Sequence, residues 1–282
     1  MKKATLLFIA VCVSALGFSQ VTAPQASTSS TLQEMIGLTQ VEVKYSRPNK
    51  NQRTIFGNVV PYGQIWRTGA NANTTIEFSD DVIIGGQTLK AGKYAIFTKP
   101  EQKQWEVYFY SENDNWGNQV KWDESKVSAK TTAEVNYLPF STETFTIAIE
   151  DIRMDRGALT FRWENTYVPV EIVVPTDAKT MASIEKTMAG GDAKAQDYIS
   201  AANYYFQTGK DMKQAKEWID KGISMMETAP YYFLYSQAAI SEKAGDKEAA
   251  VQVSKKSLEA AEKAGDQAYI RQNEELLKRL GN

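Results

Sequence analysis

Hydrophobic and polar residues alternate along several short stretches in the first two thirds of the chain. Within residues 41–46, Val41, Val43 and Tyr45 share one face of an extended chain, and the residues between them are polar. A period of two is typical of β-strands that bury one face. The alternation returns at residues 74–79, 144–150 and 158–163. Glycine-containing turn signals punctuate these stretches at residues 85–86, 91–92 and 155–157.

Many short strands without an intervening helical period predict an antiparallel β-sandwich over residues 32–175. Residues 20–31 are rich in Ser, Thr, Ala and Pro and predict a flexible lead-in. Pro169 cannot donate a ladder hydrogen bond, so the strand that contains it is expected at the edge of a sheet.

Residues 176–282 are rich in Ala, Lys, Glu and Gln, which predicts helices. The turn Gly209-Lys-Asp recurs as Gly245-Asp-Lys, and Ala202 and Ala238 precede the two glycines by the same distance. This spacing resembles the tetratricopeptide repeat, in which small residues let paired helices pack closely. A plain helical bundle is the alternative. Because two repeats are few, we expect added support from a helix near Asp266 to Leu280. The fold class predicted is α+β with two domains.

Composition removes whole classes of chemistry. The 282 residues include no histidine and one cysteine, Cys12. Histidine-dependent triads, thiolate catalysis and zinc sites built from His or Cys are therefore excluded for the mature chain. An enzymatic mechanism would have to use carboxylates, hydroxyls, lysine or a bound cation. The sequence indicates no cofactor and no metal site; the one partial calcium-loop spacing places Trp116 where an oxygen ligand is required.

The amino terminus has the pattern of a secretory signal peptide over residues 1–19. Lys2 and Lys3 precede an apolar run over residues 4–18, and small residues favour cleavage after Ser19. The run is shorter than the roughly 20 residues that span a bilayer, although an amino-terminal membrane anchor is the alternative. We expect a periplasmic or secreted protein with no membrane span. Loss of two lysines takes the formal charge from −2 to −4, which argues against nucleic acid as a partner.

The segment from Tyr45 to Pro100 carries a distinctive set of short motifs. They are YSRP, IFG, VPYG, WRTGAN and AGKY, with WGN further on. Together they resemble the domain of unknown function 2911, a family of exported bacterial proteins, over residues 32–174. The resemblance implies a β-sandwich and an extracytoplasmic place, and it implies no catalytic residues. One departure is Asn51-Gln52, since a glycine is expected beside Arg53.

The WRTGAN segment and two nearby arginines supply candidate ligand-binding residues. An aromatic face, guanidinium forks and amide or hydroxyl groups could bind a carboxylate or a sugar. Alternatively, these groups satisfy buried loop carbonyls, with the tryptophan in the core. The candidates are Arg47, Arg53, Trp66, Arg67, Asn71, Asn73 and Thr74.

A second group of candidates follows the strand around residues 105–110. Tyr108 and Tyr110 share the face opposite the predicted core, and Trp116 and Trp122 follow in the next loop. Exposed aromatic rows can stack on sugar rings, whereas cross-strand aromatic pairs can also simply stabilise a sheet.

These observations favour an exported, non-catalytic binding or scaffold protein. Its sandwich would bind a partner or a small polar or glycan ligand, and its helices would dock a protein. The alternative is a carboxylate-dependent hydrolase that acts on cell-envelope or extracellular glycan. Such an enzyme needs two carboxyl groups that face one bond at about 5 to 10 Å.

Overall fold

The structure, a computed structural model, describes residues 23–118 and 121–281. The chain divides into two compact units between Thr176 and Asp177. The predicted signal peptide and its cleavage position after Ser19 lie outside the described residues.

The first unit contains two antiparallel sheets. The strands are β1 (Thr28–Ile36), β2 (Thr39–Arg47), β3 (Thr75–Phe78), β4 (Val82–Ile84), β5 (Gln87–Leu89), β6 (Gly92–Pro100), β7 (Gln104–Tyr110), β8 (Val127–Glu134), β9 (Asn136–Glu150) and β10 (Arg156–Val173). One sheet has six strands in the order β1-β2-β3-β6-β7-β8, and the other has four in the order β5-β4-β10-β9.

The alternating hydrophobic residues of both sheets meet in one buried cluster. Val43 of β2 and Phe161 of β10 are both fully buried in it. The Tyr45 hydroxyl ties the sheets together, because it donates to the Ile147 carbonyl at 3.1 Å and accepts from the Ile147 N–H at 3.0 Å. The predicted sandwich, and the α+β class to which it belongs, are therefore confirmed.

The first strand begins earlier than the composition predicts. Thr28 already pairs with Arg47, and the β1–β2 ladder continues from there to the turn at residues 37–38. The expected lead-in over residues 20–31 was wrong for residues 28–31. Ser and Thr suit a mobile segment, but they also suit an edge strand, whose backbone groups here pair with β2.

Pro169 also departs from its prediction. β10 lies between β4 and β9 and is not an edge strand. Its paired stretch with β9 ends at Tyr167, and its pairing with β4 is at Val173. Pro169 falls between these two stretches, so a proline is tolerated within a long internal strand.

The second unit is helical, as predicted. Its helices are α1 (Thr176–Ala189), α2 (Ala195–Thr208), α3 (Met212–Ser224), α4 (Tyr231–Lys243), α5 (Lys247–Ala264) and α6 (Gln267–Arg279). Aspartates cap three of them: the side chains of Asp211, Asp246 and Asp266 accept hydrogen bonds from the first turns of α3, α5 and α6. None of the helices in the described part of the chain has the length and apolar character needed to cross a membrane.

Small residues set the close approach of the paired helices. Gly209 and Gly245 lie at matched positions just after α2 and α4, which form successive hairpins with α3 and α5. A side chain on Gly222 of α3 would place its Cβ 2.7 Å from the Ile199 side chain and 2.8 Å from the Ala195 carbonyl of α2. Gly222 therefore allows the close helix packing that the spacing predicts, whereas Gly209 and Gly245 serve the turns, since each has a positive φ and space for a Cβ.

Candidate functional site

A cleft of about 410 Å³ opens in the sandwich unit beside the loops that follow β2. One part of its wall is polar and carries two arginines and three amides, and another part is apolar. The polar part contains Asn49, Asn51, Arg53, Arg67 and Asn118, and the apolar part contains Val59, Val60, Trp66 and Trp163. No aspartate or glutamate is among the described residues that line it.

Trp66 forms the buried floor of the cleft. Its ring stacks on Trp163 with 6.0 Å between centroids and contacts Phe145 edge-on at 5.2 Å. The indole N–H donates to the Gly69 carbonyl at 3.2 Å, so its hydrogen-bonding capacity is already used. Trp66 therefore belongs to the core and offers the cleft only a small apolar surface.

Backbone hydrogen bonds hold Arg67 in place. Trp66 exchanges two backbone hydrogen bonds with Thr98 of β6, at 2.7 and 2.9 Å. The Arg67 N–H donates to the side-chain carbonyl of Asn118 at 2.9 Å. The position of Arg67 is thus set from both sides by elements distant in sequence.

The Arg67 side chain has unused donors. Its Nε atom is buried and has no hydrogen-bond partner among the described residues. Burial lowers the pKa of the guanidinium from its ordinary value, because surrounding protein disfavours the charged form. An arginine nevertheless stays charged at neutral pH. Arg67 therefore presents a positive charge to a cleft whose described lining has no carboxylate to neutralise it.

The loops around the cleft hold unusual backbone conformations. Thr68, a β-branched residue, has φ +57°, and Gly69 has φ +150°. A Cβ on Gly69 would lie 3.0 Å from the Ser46 carbonyl. Asn51 and Gln52 have φ of +49° and +62°, which explains why a glycine is expected there. Such strained positions collect at functional sites, where the surrounding structure must hold them.

The other two arginines are committed to carbonyls or hydroxyls of the protein. Arg53 lines the cleft, but its Nε and Nη2 donate to the Lys50 and Asn49 carbonyls at 2.9 and 2.6 Å. Arg47 reaches β9, where Nε donates to the Phe145 carbonyl at 3.2 Å and Nη2 to the Thr146 hydroxyl at 2.9 Å. Arg47 therefore links strands, and Arg53 shapes its own loop.

Asn71, Asn73 and Thr74 support the loop and are not part of the cleft lining. The Asn71 amide donates to the Ser27 carbonyl at 3.2 Å. The Asn73 amide, oriented to donate, reaches the carbonyls of Asn115 and Gly117, each at 3.2 Å. The Thr74 hydroxyl donates to the Thr68 carbonyl at 2.6 Å. The structure thus separates these three from Arg67, with which the sequence groups them.

The two tyrosines of the second candidate group are buried and do not form an open surface. Tyr108 and Tyr110 are buried in a small cluster with Phe97 on the outer face of the six-stranded sheet. Trp122 covers them, with its ring 5.2 Å from that of Tyr108 and 4.8 Å from that of Tyr110. Trp116 is 75% exposed and stands apart from this cluster. Of the two alternatives, the burial of Tyr108 and Tyr110 favours aromatic pairs that stabilise the sheet, because the Trp122 ring packs over the strand.

Several cleft residues escape the sequence analysis. Asn118 ends the WGN motif, and Asn49 and Asn51 lie between the YSRP motif and Arg53. Their positions in or next to family motifs were the available signal. Trp163 follows the strand alternation and gives no separate signal. Within residues 23–118 and 121–281, no group of three or more Asp, Glu, His or Cys side chains could hold a metal ion.

Comparison with known proteins gives one match. A family described as "Protein of unknown function (DUF2911)" matches residues 27–172. No curated protein and no solved structure matches the chain. The family match covers more than half of the sequence and most of the sandwich unit, including the cleft, and the chain therefore belongs to the DUF2911 family.

Proposed function

We propose that this protein is an exported, non-catalytic binding protein whose sandwich holds a small polar ligand in the Arg67 cleft. The observation that carries the proposal is that the half-buried Arg67 side chain lines a cleft of about 410 Å³ and makes no hydrogen bond or ion pair with the described residues. Most buried polar groups are hydrogen-bonded, so a half-buried guanidinium without partners needs an explanation. A ligand acceptor that meets the guanidinium from the cleft supplies that explanation.

The placement of the family motifs supports the proposal. Pro48, Val60, Arg67 and Asn118 come from the YSRP, VPYG, WRTGAN and WGN motifs, and all four line the same cleft. These motifs are scattered between residues 45 and 118 of the chain. Their convergence on one open volume favours a shared site over four unrelated structural roles.

Native mass spectrometry tests the proposed site. We expect the full chain without residues 1–19, purified gently from the periplasm or medium, to retain a small molecule. Ala70→Phe places a ring in the cleft wall and should lower that retention, while Ala91→Phe on the exposed turn before β6 should not. Equal retention by both variants, or no bound molecule and no thermal shift with periplasmic extract, would refute the proposal.

The extracytoplasmic location is also a proposal. It is supported by Lys2, Lys3, the apolar run over residues 4–18 and the small residues at Ser19. Amino-terminal sequencing of the exported protein should begin at Gln20. A mature protein that retains Lys2 would contradict it.

The helical unit is proposed to dock a protein. Support comes from its two successive hairpins and from an aromatic group on α4 and α6, where Tyr232, 40% exposed, contacts Tyr231 and Tyr269. Cross-linking with the full chain in the periplasm should yield a defined adduct that Tyr232→Ala weakens. Tyr137→Ala, in the sandwich and 67% exposed, is the matched control. Adducts equally affected by both changes would count against specific docking.

The hydrolase alternative needs two carboxylates in one cleft, and two clefts in the described part of the chain meet that condition. Asp151 and Glu171 line one of about 420 Å³, where Glu171 pairs with Arg156 at 3.1 Å. Glu42 and Glu77 stand opposite each other on β2 and β3 and line a groove of about 190 Å³. Glu42, however, pairs with Lys44 at 2.5 Å, and Glu77 stands opposite Lys93 on β6. A lysine beside each glutamate offsets the repulsion between these two like charges, so the pair is explained as charged sheet surface. Release of soluble glycan by the full chain, lost in Glu77→Gln, would reverse that preference.

A further inference from the structure

We infer that the ligand of the Arg67 cleft is a small organic monocarboxylate with an apolar body, its carboxylate held by the Arg67 guanidinium. The inference rests on the proposed function and specifies its ligand. The contacts of the arginines, the composition of the cleft wall and its size each narrow the ligand class.

Arg67 is half-buried, yet its side chain makes neither an ion pair nor a hydrogen bond with the described residues. Arg156, Arg162 and Arg279 each lie 2.9 to 3.1 Å from a carboxylate oxygen. Arg67 has no such partner among the described residues, and its described cleft lining has no aspartate or glutamate. A partly buried cation without a counter-charge is costly, and an anion in the cleft would remove that cost. A neutral sugar would leave it in place.

The number of free guanidinium forks indicates a single carboxylate group. Arg53 also lines the cleft, but two of its nitrogens are held by backbone carbonyls. That leaves one fully free fork, at Arg67, which matches the two oxygens of a carboxylate. A phosphate group presents more oxygens than one free fork can bind, and no lysine is among the described lining residues.

The apolar part of the cleft wall indicates what the body of the ligand is like. Val59 is 43% exposed, and Val60 and the edges of Trp66 and Trp163 continue the apolar surface. Small-molecule sites commonly combine such apolar surface with a few oriented polar groups, and a volume of about 410 Å³ lies within their range of roughly 300 to 1,000 Å³. A short aliphatic or aromatic acid fits this combination.

Tryptophan fluorescence and calorimetry can test the inference with defined probes. The full chain without residues 1–19 is titrated with hexanoate, phenylacetate and lactate, with their primary amides, and with inorganic phosphate. We expect at least one carboxylate to bind at least tenfold more tightly than its amide, because only the carboxylate can form the charged pair. Phosphate should bind more weakly than that carboxylate.

Two variants assign the binding to Arg67. Arg67→Gln should weaken carboxylate binding at least tenfold and leave amide binding unchanged. Arg67→Lys keeps the charge but not the fork, and should lose affinity by a smaller factor. Arg153→Gln removes an exposed arginine outside the cleft and should change neither. Because Arg67 makes no side-chain hydrogen bond among the described residues, all three variants should fold.

The outcomes separate this inference from the proposed function. If amides bind as tightly as carboxylates, and Ala70→Phe but not Arg67→Gln weakens them, the cleft binds ligands but the carboxylate assignment is wrong. If phosphate binds best, the ligand class is a phosphate. If no probe binds and the purified protein carries no small molecule, the proposed function itself fails.

Discussion

Two groups of aromatic and polar residues in the sandwich have similar residue types, but one lines an open cleft and the other forms a buried cluster. The Arg67 side chain lines an open cleft and makes no hydrogen bond with the described residues. Around Tyr108, the Trp122 ring packs against the tyrosine ring, and the Tyr108 hydroxyl donates to the Glu106 carboxylate. Residue types alone would favour both groups as sites. Unused hydrogen-bonding capacity beside open space distinguishes the first.

The two groups also differ in how they are covered. The loop after β7 covers Tyr110 through Trp122, and the same loop carries Asn118, which positions Arg67. One loop thus closes the aromatic cluster and helps to build the cleft. A substitution in this loop can therefore affect either region.

The largest expected effect concerns the tryptophans. Trp66→Ala removes a ring packed among Phe56, Phe145 and Trp163 and should cost about 3 to 5 kcal/mol of unfolding free energy. Trp116→Ala, at an exposed position, should cost less than about 0.5 kcal/mol. Urea unfolding of both variants measures the difference. Similar costs would mean that Trp66 is not the core floor of the cleft.

The second largest difference in unfolding free energy is expected between substitutions of Arg47 and Arg67. Arg47→Ala leaves the Phe145 carbonyl and the Thr146 hydroxyl without their donor and should cost about 1 to 3 kcal/mol. Arg67→Ala removes no hydrogen bond made by its side chain and should cost less than about 0.5 kcal/mol in the absence of ligand. Equal destabilisation in thermal melts would show that Arg67 has a structural partner.

A smaller effect is expected on the aromatic side. The Tyr110 hydroxyl is buried and has no hydrogen-bond partner among the described residues. Tyr110→Phe removes that group and should raise the unfolding free energy by up to about 1 kcal/mol. Chemical denaturation provides the measurement. A loss of stability would reveal a hydrogen bond that this account lacks.

The smallest effect is a pH dependence at Tyr108. Burial, and then the hydrogen bond to Glu106, raise the pKa of Tyr108 well above its usual value near 10. The folded state therefore keeps a proton that the unfolded state loses. Its contribution is complete below about pH 10 and declines as the pH rises further. Tyr108→Phe should make the alkaline decline in melting temperature shallower, and an unchanged slope would contradict this.

The sequence predicts much of the fold because the strands of a sandwich bury one face and the helices repeat their small residues. Val41, Val43 and Tyr45 show the first, and Ala202 and Ala238 the second. The cleft is not predictable in the same way, because it forms from contacts between distant residues. Arg67 meets Asn118 across 51 positions, and Asn71 meets Ser27 across 44. Which polar groups find partners is decided only when these loops meet.

The central claim is that the Arg67 donors are free in the folded protein and receive a carboxylate. The Nε–H resonance of Arg67 in a ¹⁵N correlation spectrum tests it most directly, assigned as the peak that is lost in Arg67→Lys. On addition of a monocarboxylate such as phenylacetate, that peak should shift progressively, while the Nε–H peak of Arg47 stays in place. An Arg67 peak unmoved by every carboxylate tested, or Arg47 and Arg67 peaks that shift together, would contradict the account.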